Sequence, residues 1–231
     1  MSHVAVITAR GGSKRVPGKN IKDFCGKPIL AYSIQAALDS GLYDEVMVST
    51  DSEEIAAIAR QYGAAVPFMR SAATADDYAT TRDVLLEVLA EYEKRGRTFD
   101  LLTCIYPTAP FVTARKLQEA TALLEDGDAE GVQPVAVYSV PAQWAMKVAD
   151  GRLYFRYPEY RNARSQDLEP SYYDPGQFYV FRTATYVQHA PDEGGMLPYL
   201  LPETEVQDLD TPTDWVLAEL KYQAYIKRQG V

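Results

Sequence analysis

Residues 4–9 read VAVITA and residues 10–20 read RGGSKRVPGKN, and this junction sets the architecture expected for the whole chain. A short apolar, β-branched run that is broken at once by glycines is typical of a buried strand. The eleven residues after it contain three glycines, one proline and four cations. A loop of this composition can direct backbone N–H groups and several positive charges at one polyanion. We therefore predict a strand followed by an anion-binding loop.

Farther along the chain, strand-like apolar runs alternate with helical spacing. The helix after the loop is predicted within residues 21–40, with Pro28 near its start. Further strands are predicted at residues 45–50, 64–68, 100–106 and 131–137, and further helices at 51–62, 81–94, 113–125 and from 212 onward. This alternation predicts an α/β fold with a Rossmann-like, doubly wound and mostly parallel sheet. The basic loop would then lie at the carboxyl end of the first strand, where such sheets bind ligands.

The pattern changes after residue 138. Short aromatic runs at residues 144–148, 153–157 and 177–181 follow one another without intervening helices. We predict that residues 140–182 form a small antiparallel insertion in an otherwise single domain of residues 1–231. The insertion is rich in tyrosine, and aromatic-rich segments often serve interfaces; a lid or a satellite core suits the pattern equally well.

The overall composition excludes several classes of protein. The chain carries a formal net charge of −9, with 47% hydrophobic and 24% charged residues. These values are ordinary for a folded domain and argue against disorder. Nucleic-acid binders are usually basic, so no nucleic-acid partner is expected. Residues 1–28 nevertheless hold six cations against one acid, which favours a positive pocket for a small anion.

The two cysteines, Cys25 and Cys104, show no CxxC or disulfide-type spacing. We interpret them as reduced thiols that behave as small hydrophobic residues. No apolar run approaches membrane-spanning length, and no signal-peptide pattern precedes the first strand. The expectation is a cytoplasmic protein without a membrane partner.

The loop matches neither of two common phosphate-binding motifs. It contains no GxGxxG, and a Walker loop ending at Lys19 would need Gly in place of Ser13 and Ser or Thr in place of Asn20. A basic surface loop is the plainer alternative, although the order strand, loop, helix places these charges where ligands bind.

Residues 9–21, ARGGSKRVPGKNI, resemble the cytidylyltransferases that activate acidic sugars. The resemblance continues at residues 26–29, 49–51, 70, 76–81, 107–110 and 207–211, so it covers nearly the whole chain. It implies a Mg²⁺-dependent enzyme that transfers CMP from CTP to a nonulosonic acid, an acidic nine-carbon keto sugar, and releases pyrophosphate. It also implies a homodimer in which residues 140–182 cross to the second subunit.

Within that family, three features favour pseudaminic acid as the sugar. Residues 106–110 read YPTAP, whereas sialic acid enzymes usually have Gln at the position of Tyr106. Residues 162–168 and 173–179 resemble the pseudaminic acid enzymes, and so does Asp76-Asp77-Tyr78 with its following threonines. The alternatives are a sialic, legionaminic or eight-carbon keto-acid sugar as substrate, or a protein that senses CTP without turnover.

Nucleotidyl transfer depends mainly on charge neutralisation and alignment, so the cations of the loop are the first candidates for catalysis. Lys19 and Arg10 are predicted catalytic cations on the triphosphate, because lysine offers a compact charge and arginine a fork for two phosphate oxygens. The other predicted nucleotide-binding residues are Gly11, Gly12, Ser13, Lys14, Asn20, Arg70, Ala79 and Thr81. The last four follow from the resemblance, and for Ala79 and Thr81 a plain helix start is the alternative.

Asp208 and Asp210 stand two apart on a segment predicted to be extended, so their side chains would share one face. Two carboxylates can hold Mg²⁺ together with water and phosphate oxygens. The spacing alone equally suits an acidic helix N-terminus, and the nearby loop and the resemblance favour a metal pair. Asp210 is also a predicted catalytic residue, and the base that accepts the sugar proton is left open.

The sugar carries a carboxylate, so its site needs a cation and hydrogen-bond donors. The predicted sugar-binding residues are Tyr106, Lys147, Arg164, Gln166 and Gln177. Arg164 is the preferred partner of the carboxylate, and a surface role is the alternative for Lys147 and Gln177. Neither His3 nor His189 stands where a catalytic base is expected.

Overall fold

The computed structural model describes residues 1–13, 15–191 and 193–229. The strands are β1 His3–Thr8, β2 Asp23–Phe24, β3 Lys27–Pro28, β4 Glu45–Ser49, β5 Leu101–Ile105, β6 Gly131–Val137, β7 Met146–Ala149, β8 Arg152–Phe155, β9 Tyr172–Tyr173, β10 Phe178–Arg182 and β11 Met196–Leu200. The helices are α1 Leu30–Ser40, α2 Glu53–Gln61, α3 Ala72–Ala75, α4 Thr81–Glu93, α5 Ala114–Glu125, α6 Thr183–Gln188 and α7 Pro212–Gln229. Short 3₁₀ turns lie at Lys19–Ile21, Ala142–Trp144, Pro158–Tyr160, Ser165–Asp167 and Glu203–Glu205.

The central sheet has the strand order β11-β6-β10-β5-β1-β4, with β9 paired to β6. Strand β1 pairs in parallel with β4 and β5, and β11 pairs in parallel with β6. Strand β10 runs antiparallel to both β5 and β6. The predicted mostly parallel sheet is therefore confirmed, with β10 as a reversed strand between its two parallel parts.

Residues of β1 alternate between two hydrophobic clusters. Ala5 and Ile7 are fully buried on one face of the sheet, among residues of α1, α2 and α5. Val4 and Val6 are fully buried on the other face, among residues of α4 and α6. Helices thus cover both faces, as in a doubly wound fold, and this explains why a central parallel strand reads as one continuous apolar run.

Side-chain caps begin the two helices that border the cavity described below. The Asp83 carboxylate accepts the N–H of Thr80 at 2.8 Å, and the Thr80 hydroxyl accepts the N–H of Asp83 at 3.2 Å, which is a capping box at α4. Thr211 and Asp214 cap α7 in the same way, with 2.7 Å from Thr211 N to the carboxylate. These local signals place both helix starts where the sequence predicts them.

Helix α7 packs against the start of the chain. Its residue Trp215 lies in a buried cluster with Val16, Phe24 and Leu209. The rings of Phe24 and Trp215 meet edge to face, with 5.7 Å between their centroids. Val16 belongs to the basic loop, and Leu209 stands between the two predicted metal ligands. The cluster therefore holds the loop and the acidic segment together.

The helix predicted within residues 21–40 begins only at Leu30. Before it, β2 and β3 form a short hairpin. Cys25 and Gly26 at its turn have φ angles of 49° and 101°, which no right-handed helix can contain. Of the helices described, none is long and apolar enough to cross a membrane.

Two strand predictions also differ from the structure. Residues 64–68 form no strand, and Ala65 makes only an isolated bridge to Met47. The predicted run at 177–181 corresponds to β10, which pairs within the central sheet because Phe178 and Val180 fill its core. The separate antiparallel unit is the hairpin β7–β8, and we call residues 140–168, which contain it, the arm.

Candidate functional site

A cavity of about 530 Å³ opens at the carboxyl ends of β1 and β5. Its described walls come from the basic loop, from the start of α4, from the turn after β5 and from the segment before α7. The predicted site residues that line it are Arg10, Ser13, Lys19, Asn20, Arg70, Ala79, Thr81, Tyr106, Asp208 and Asp210. Residues far apart in sequence thus converge at the edge of the sheet where the fold predicts a ligand site.

Two donors at the front of the loop bind carboxylates. The Nη1 atom of Arg10 lies 2.8 Å from Asp77 Oδ1 and also donates to the carbonyl oxygen of Asp76 at 2.8 Å. The backbone N–H of Gly11 donates to Asp51 Oδ1 at 2.8 Å. The side chain of Arg10 is about one-third exposed, so an anion from solvent can take the place of Asp77 as its partner.

The cations at the back of the loop converge on Asp210. Arg15 Nη1 lies 2.7 Å from Asp210 Oδ2, and Lys19 Nζ lies 3.8 Å from Asp210 Oδ1. Lys19 Nζ also donates to the carbonyl oxygen of Leu209 at 2.8 Å. The described cations of the loop therefore all face oxygen atoms on the cavity wall, in the arrangement that a phosphate chain would also satisfy.

Backbone geometry presents Lys19 to the cavity. Gly18, with φ of 60°, stands in the left-handed region and begins the 3₁₀ turn Lys19–Ile21. The buried side chain of Asn20 donates from Nδ2 to the carbonyl oxygen of Arg10 at 2.8 Å, which ties the two ends of the loop together. Asn20 thus acts on the loop itself in addition to lining the cavity.

Arg70 provides a fixed cation at the base of the cavity. It is only 8% exposed. Its Nε donates to Ser49 Oγ at 3.1 Å and its Nη2 donates to the carbonyl oxygen of Ser49 at 2.7 Å. Burial is the main influence on the pKa of Arg70, which it lowers. A guanidinium held this way can orient a ligand without first losing side-chain entropy.

Asp208 and Asp210 both reach the cavity, although residues 206–210 form an extended loop and no strand. Leu209 between them is fully buried, so the alternation that the spacing predicts is kept. Desolvation and, after it, the charge of Asp210 raise the pKa of Asp208. Among the described residues, no group of three or more His, Cys, Asp or Glu could hold a metal ion.

A second cavity, of about 520 Å³, shares Thr81 and Tyr106 with the first. Tyr106 Oη lies 3.3 Å from Thr81 Oγ1, and its ring meets that of Tyr179 edge to face at 5.6 Å. Burial raises the pKa of Tyr106, so its hydroxyl stays a neutral donor. The two cavities are therefore adjacent at the Tyr106 phenol, which Thr81 and Tyr179 hold in place.

The side chains of the other predicted sugar-binding residues lie outside the described walls of both cavities within this chain. Lys147, Arg164 and Gln166 lie exposed on the arm, and none is among the described residues that line either cavity. Arg164 makes two hydrogen bonds to the Asp167 carboxylate, at 2.8 and 3.1 Å. Gln177 is next to Tyr106, whose N–H donates to the Gln177 carbonyl oxygen at 2.9 Å. Its side chain is only 1% exposed and donates to the carbonyl oxygen of Pro175 at 3.1 Å.

Of the remaining predicted residues, Gly11 and Gly12 are exposed at the rim of the loop. Lys14 lies outside the described residues. Residues of the site that the sequence analysis did not select include Arg15, Asp51, Asp77, Arg82, Asp174 and Tyr179. All of these except Arg82 stand inside motifs that carry the family resemblance, and the motif signal could therefore have identified them. Arg82 is placed by its contacts with residues 186 and 189, which are distant in sequence.

Comparison with known proteins agrees with this geometry. A family model described as cytidylyltransferase matches residues 4–193. The pseudaminic acid cytidylyltransferase of Campylobacter jejuni is 33% identical over 228 residues, covering 96% of this chain and 97% of that protein. The CMP-N,N'-diacetyllegionaminic acid synthase of Legionella pneumophila is 34% identical over 227 residues, covering 95% of each.

The fold is also found among solved structures. A CMP:2-keto-3-deoxy-manno-octonic acid synthetase complexed with CTP has a TM-score of 0.70 and 18% identity, covering 98% of this chain and all of that one. A 4-diphosphocytidyl-2C-methyl-D-erythritol synthase of Anaerococcus prevotii has a TM-score of 0.63 and 14% identity. Both confirm the Rossmann-like architecture. The family match and the full-length relatives together show that this chain belongs to the cytidylyltransferase family.

Proposed function

We propose that this chain transfers CMP from CTP to a nonulosonic acid, with pseudaminic acid as its substrate, and releases pyrophosphate. The observation that carries the proposal is the cation-rich cavity, joined at Tyr106 to a second cavity large enough for a sugar. The names of the relatives that match nearly the whole chain support the choice of reaction and sugar.

In this proposal the triphosphate occupies the first cavity. Arg10 and Lys19 exchange their carboxylate and carbonyl partners for phosphate oxygens, and little reorganisation is needed because the loop already holds both cations in place. The backbone N–H of Gly11 would likewise exchange Asp51 for a phosphate oxygen, with Gly12 and Ser13 beside it on the loop. The base and ribose meet Asn20, Arg70, Ala79 and Thr81, which line the same cavity.

Asp208 and Asp210 would hold Mg²⁺, with phosphate oxygens and water as its other ligands. The fit rests on placement, because both carboxylates line the cavity that holds Arg10 and Lys19. Desolvation, and after it the charge of Asp210, raises the pKa of Asp208, and a bound cation would offset both influences. When bound, Mg²⁺ supplies neutralisation of charge on the α-phosphate and on the departing pyrophosphate.

The sugar occupies the second cavity, with its anomeric hydroxyl directed at the α-phosphorus near Tyr106. A bond forms between the hydroxyl oxygen and the α-phosphorus, and the bond from the α-phosphorus to the bridging oxygen breaks. Pyrophosphate leaves with that electron pair, and Lys19 and Arg10 stabilise the charge that develops. The hydroxyl proton passes to a carboxylate on the cavity wall, for which Asp208 and Asp210 are the candidates.

We further propose that the enzyme is a homodimer joined through the arm. In the hairpin, Val148 is 73% exposed and Leu153 is 69% exposed, and the two stand directly opposite each other. Such a patch marks an interaction surface. An arm that crosses to the second subunit would bring Arg164 and Lys147 to that subunit's sugar cavity, which supplies the cation that the sugar carboxylate needs.

We place the enzyme in the cytoplasm, where thiols stay reduced. Both Cys25 and Cys104 are free. Burial raises the pKa of Cys104 to about 12, so this thiol stays protonated and unreactive. No nucleic-acid or membrane partner enters this proposal.

Pyrophosphate release with CTP and Mg²⁺ tests the proposal. The substrates to compare are pseudaminic acid, N,N'-diacetyllegionaminic acid, N-acetylneuraminic acid and an eight-carbon keto-acid sugar. We expect the highest kcat/KM with pseudaminic acid, and the control without sugar measures the hydrolysis of CTP alone.

Other outcomes would contradict specific parts of the proposal. If N,N'-diacetyllegionaminic acid gives the highest turnover, it replaces pseudaminic acid as the proposed substrate. It is the second candidate because this chain is 34% identical to the Legionella pneumophila enzyme. Tight CTP binding without pyrophosphate release from any acid would instead support a CTP-sensing protein and overturn the catalytic proposal.

A further inference from the structure

Asp174 lies where the second cavity meets a third one, of about 220 Å³. Its Oδ1 accepts the N–H of Gly176 at 2.8 Å, and its Oδ2 accepts the hydroxyl of Tyr179 at 2.7 Å. Two donors therefore fix the orientation of the carboxylate. Each carboxylate oxygen can accept a further hydrogen bond, so Asp174 remains an acceptor for a ligand in the cavity.

The charge of Asp174 determines which end of a sugar acid it can face. A second acid, Glu193, and one cation, Arg82, line the same cavity. Arg82 already donates to the carbonyl oxygens of Tyr186 and His189, at 2.6 and 3.0 Å, so the two acids outweigh it and disfavour a ligand carboxylate there. The cations Arg10 and Lys19 line the first cavity, on the other side of Tyr106. The acidic end of the sugar therefore lies at the Tyr106 side of the second cavity, where the arm of the proposed dimer would reach it, and Asp174 faces the remainder of the sugar.

The surroundings of Asp174 define the group it recognises. The third cavity adds an apolar wall formed by Tyr172, Tyr173, Met196, Leu197 and Pro198. An acceptor beside aromatic and aliphatic side chains suits a donor that carries an apolar substituent. An amide N–H with its acyl group satisfies both, whereas a hydroxyl offers a donor and leaves the apolar wall without a partner.

We propose that Asp174 is a specificity-determining residue that accepts the amide N–H of an acylamino substituent on the sugar acid, while the acyl group lies against Tyr173 and Met196. The inference rests on the proposed function, because it takes the second cavity as the sugar site. Relatives whose names specify diacetyllegionaminic or N-acylneuraminic acid act on sugars that carry this group.

The test uses Asp174→Asn, which keeps the size of the side chain and removes its charge and one acceptor oxygen. We expect the KM for pseudaminic acid to rise about tenfold or more, as for loss of a charge-assisted hydrogen bond. The KM for CTP and kcat should change less than about twofold. Asp126→Asn, at the end of α5 and outside the described cavity walls, is the matched control and should match the wild type.

Substrate analogues separate recognition from general damage. In two analogues, hydrogen replaces one or the other acetamido group of pseudaminic acid. With one of these analogues, the kcat/KM of the wild type should be about tenfold lower than with pseudaminic acid. For Asp174→Asn, the kcat/KM with the same analogue should be less than about twofold lower than its own value with pseudaminic acid, because the substitution and the analogue remove the same hydrogen bond. Equal losses for Asp174→Asn with every sugar, or an unchanged sugar KM, would overturn the inference.

A variant with an intact carboxylate covers the case in which Asp174→Asn folds poorly. Tyr179→Phe removes only the hydroxyl that orients Oδ2, and we expect the sugar KM to rise about threefold, with weaker discrimination between the analogues. Unchanged discrimination would contradict the role of Asp174. Failure of the wild type to turn over any nonulosonic acid would instead refute the proposed function, so the two failures are distinguishable.

Discussion

The body of the fold and the arm hold their proposed site residues in opposite ways. In the body, the basic loop and the acidic segment are joined through buried Val16, Leu209 and Trp215, and their charged groups line one cavity. In the arm, Arg164 and Lys147 are exposed and lie outside the described walls of both cavities. One folded chain thus holds all the described walls of the proposed nucleotide site and leaves the proposed sugar site without the cation of the arm.

Burial explains the contrast. The residues of β1 are covered on both faces, and this fixes the position of every group that follows the strand. The arm contains a two-stranded hairpin, which is marginally stable by itself, and apolar side chains of that hairpin such as Val148 and Leu153 are exposed. Its residues therefore need a second surface to acquire a fixed position.

The largest effect is expected at Lys19. Lys19→Ala removes a cation that faces the acidic segment across the cavity, and kcat should fall about 10²–10³-fold, as for loss of one transition-state donor. Pyrophosphate release under saturating substrates measures it. Lys22→Ala is the control from the same basic stretch, since Lys22 packs over Trp215 and is not among the described lining residues. A Lys19→Ala enzyme with near wild-type kcat would remove Lys19 from the mechanism.

The second prediction concerns the stability of the body. His3 Nε2 lies 2.8 Å from Thr103 Oγ1, and burial lowers the pKa of His3 from 6.5 to about 4. Between these pH values the unfolded chain binds a proton that the folded chain does not. The free energy of unfolding should therefore fall as the pH drops from 6.5 to 4, by about 3 kcal/mol from this group.

Denaturant unfolding of the wild type and of His3→Gln at pH 7 and pH 4 measures the contribution of His3. The glutamine variant cannot titrate, so its loss of stability on acidification should be smaller by that amount. Equal losses in the two proteins would show that His3 carries no linked proton.

The third prediction tests whether the arm is an intersubunit element. Leu153→Asp places a charge in the exposed apolar patch opposite Val148, and we expect monomers by light scattering. Turnover of the sugar should fall about tenfold or more, because the cation of the arm is lost, while the KM for CTP stays within about twofold. Leu123→Asp, on the exposed face of α5, should remain dimeric and active. A fully active monomer would show that the arm is dispensable.

The smallest effect is expected for a single arm residue. Arg164→Ala should raise the KM for pseudaminic acid about tenfold and leave the KM for CTP unchanged, because only the sugar carboxylate loses a partner. Steady-state kinetics with each substrate varied in turn measures both values. Arg115→Ala removes an arginine paired with Glu119 on exposed α5 and should change neither constant. An unchanged sugar KM in Arg164→Ala would assign that arginine to the surface of the arm.

Local patterns explain the part of the fold that could be predicted. The apolar run of β1 and the helix caps at Thr80 and Thr211 each involve residues that are close together in the sequence. The main strands and helix starts can therefore be recognised from the sequence. The placement of Asp208 and Asp210 in one cavity follows from alternation around Leu209. The family resemblance then supplied Arg70 and Thr81, which lie in that cavity.

Non-local contacts account for the differences. Strand β10 lies between β5 and β6 because of hydrogen bonds that no local spacing signals. The ion pair of Arg15 with Asp210 joins residues 195 apart in sequence. Gln177 was predicted as a sugar ligand from its motif, but its burial depends on how the chain packs beneath Tyr106. The hairpin before α1 depends on the turn at Gly26, which helical spacing alone does not show.

A crystal structure of the protein with CTP and Mg²⁺ tests the account at the nucleotide itself. We expect the triphosphate in the first cavity, with Lys19 Nζ and the Arg10 guanidinium bonded to phosphate oxygens and the Arg10–Asp77 contact released. Asp208 and Asp210 should face the magnesium ion. A nucleotide bound elsewhere, or Arg10 and Lys19 retaining their present partners while CTP is bound, would contradict the account.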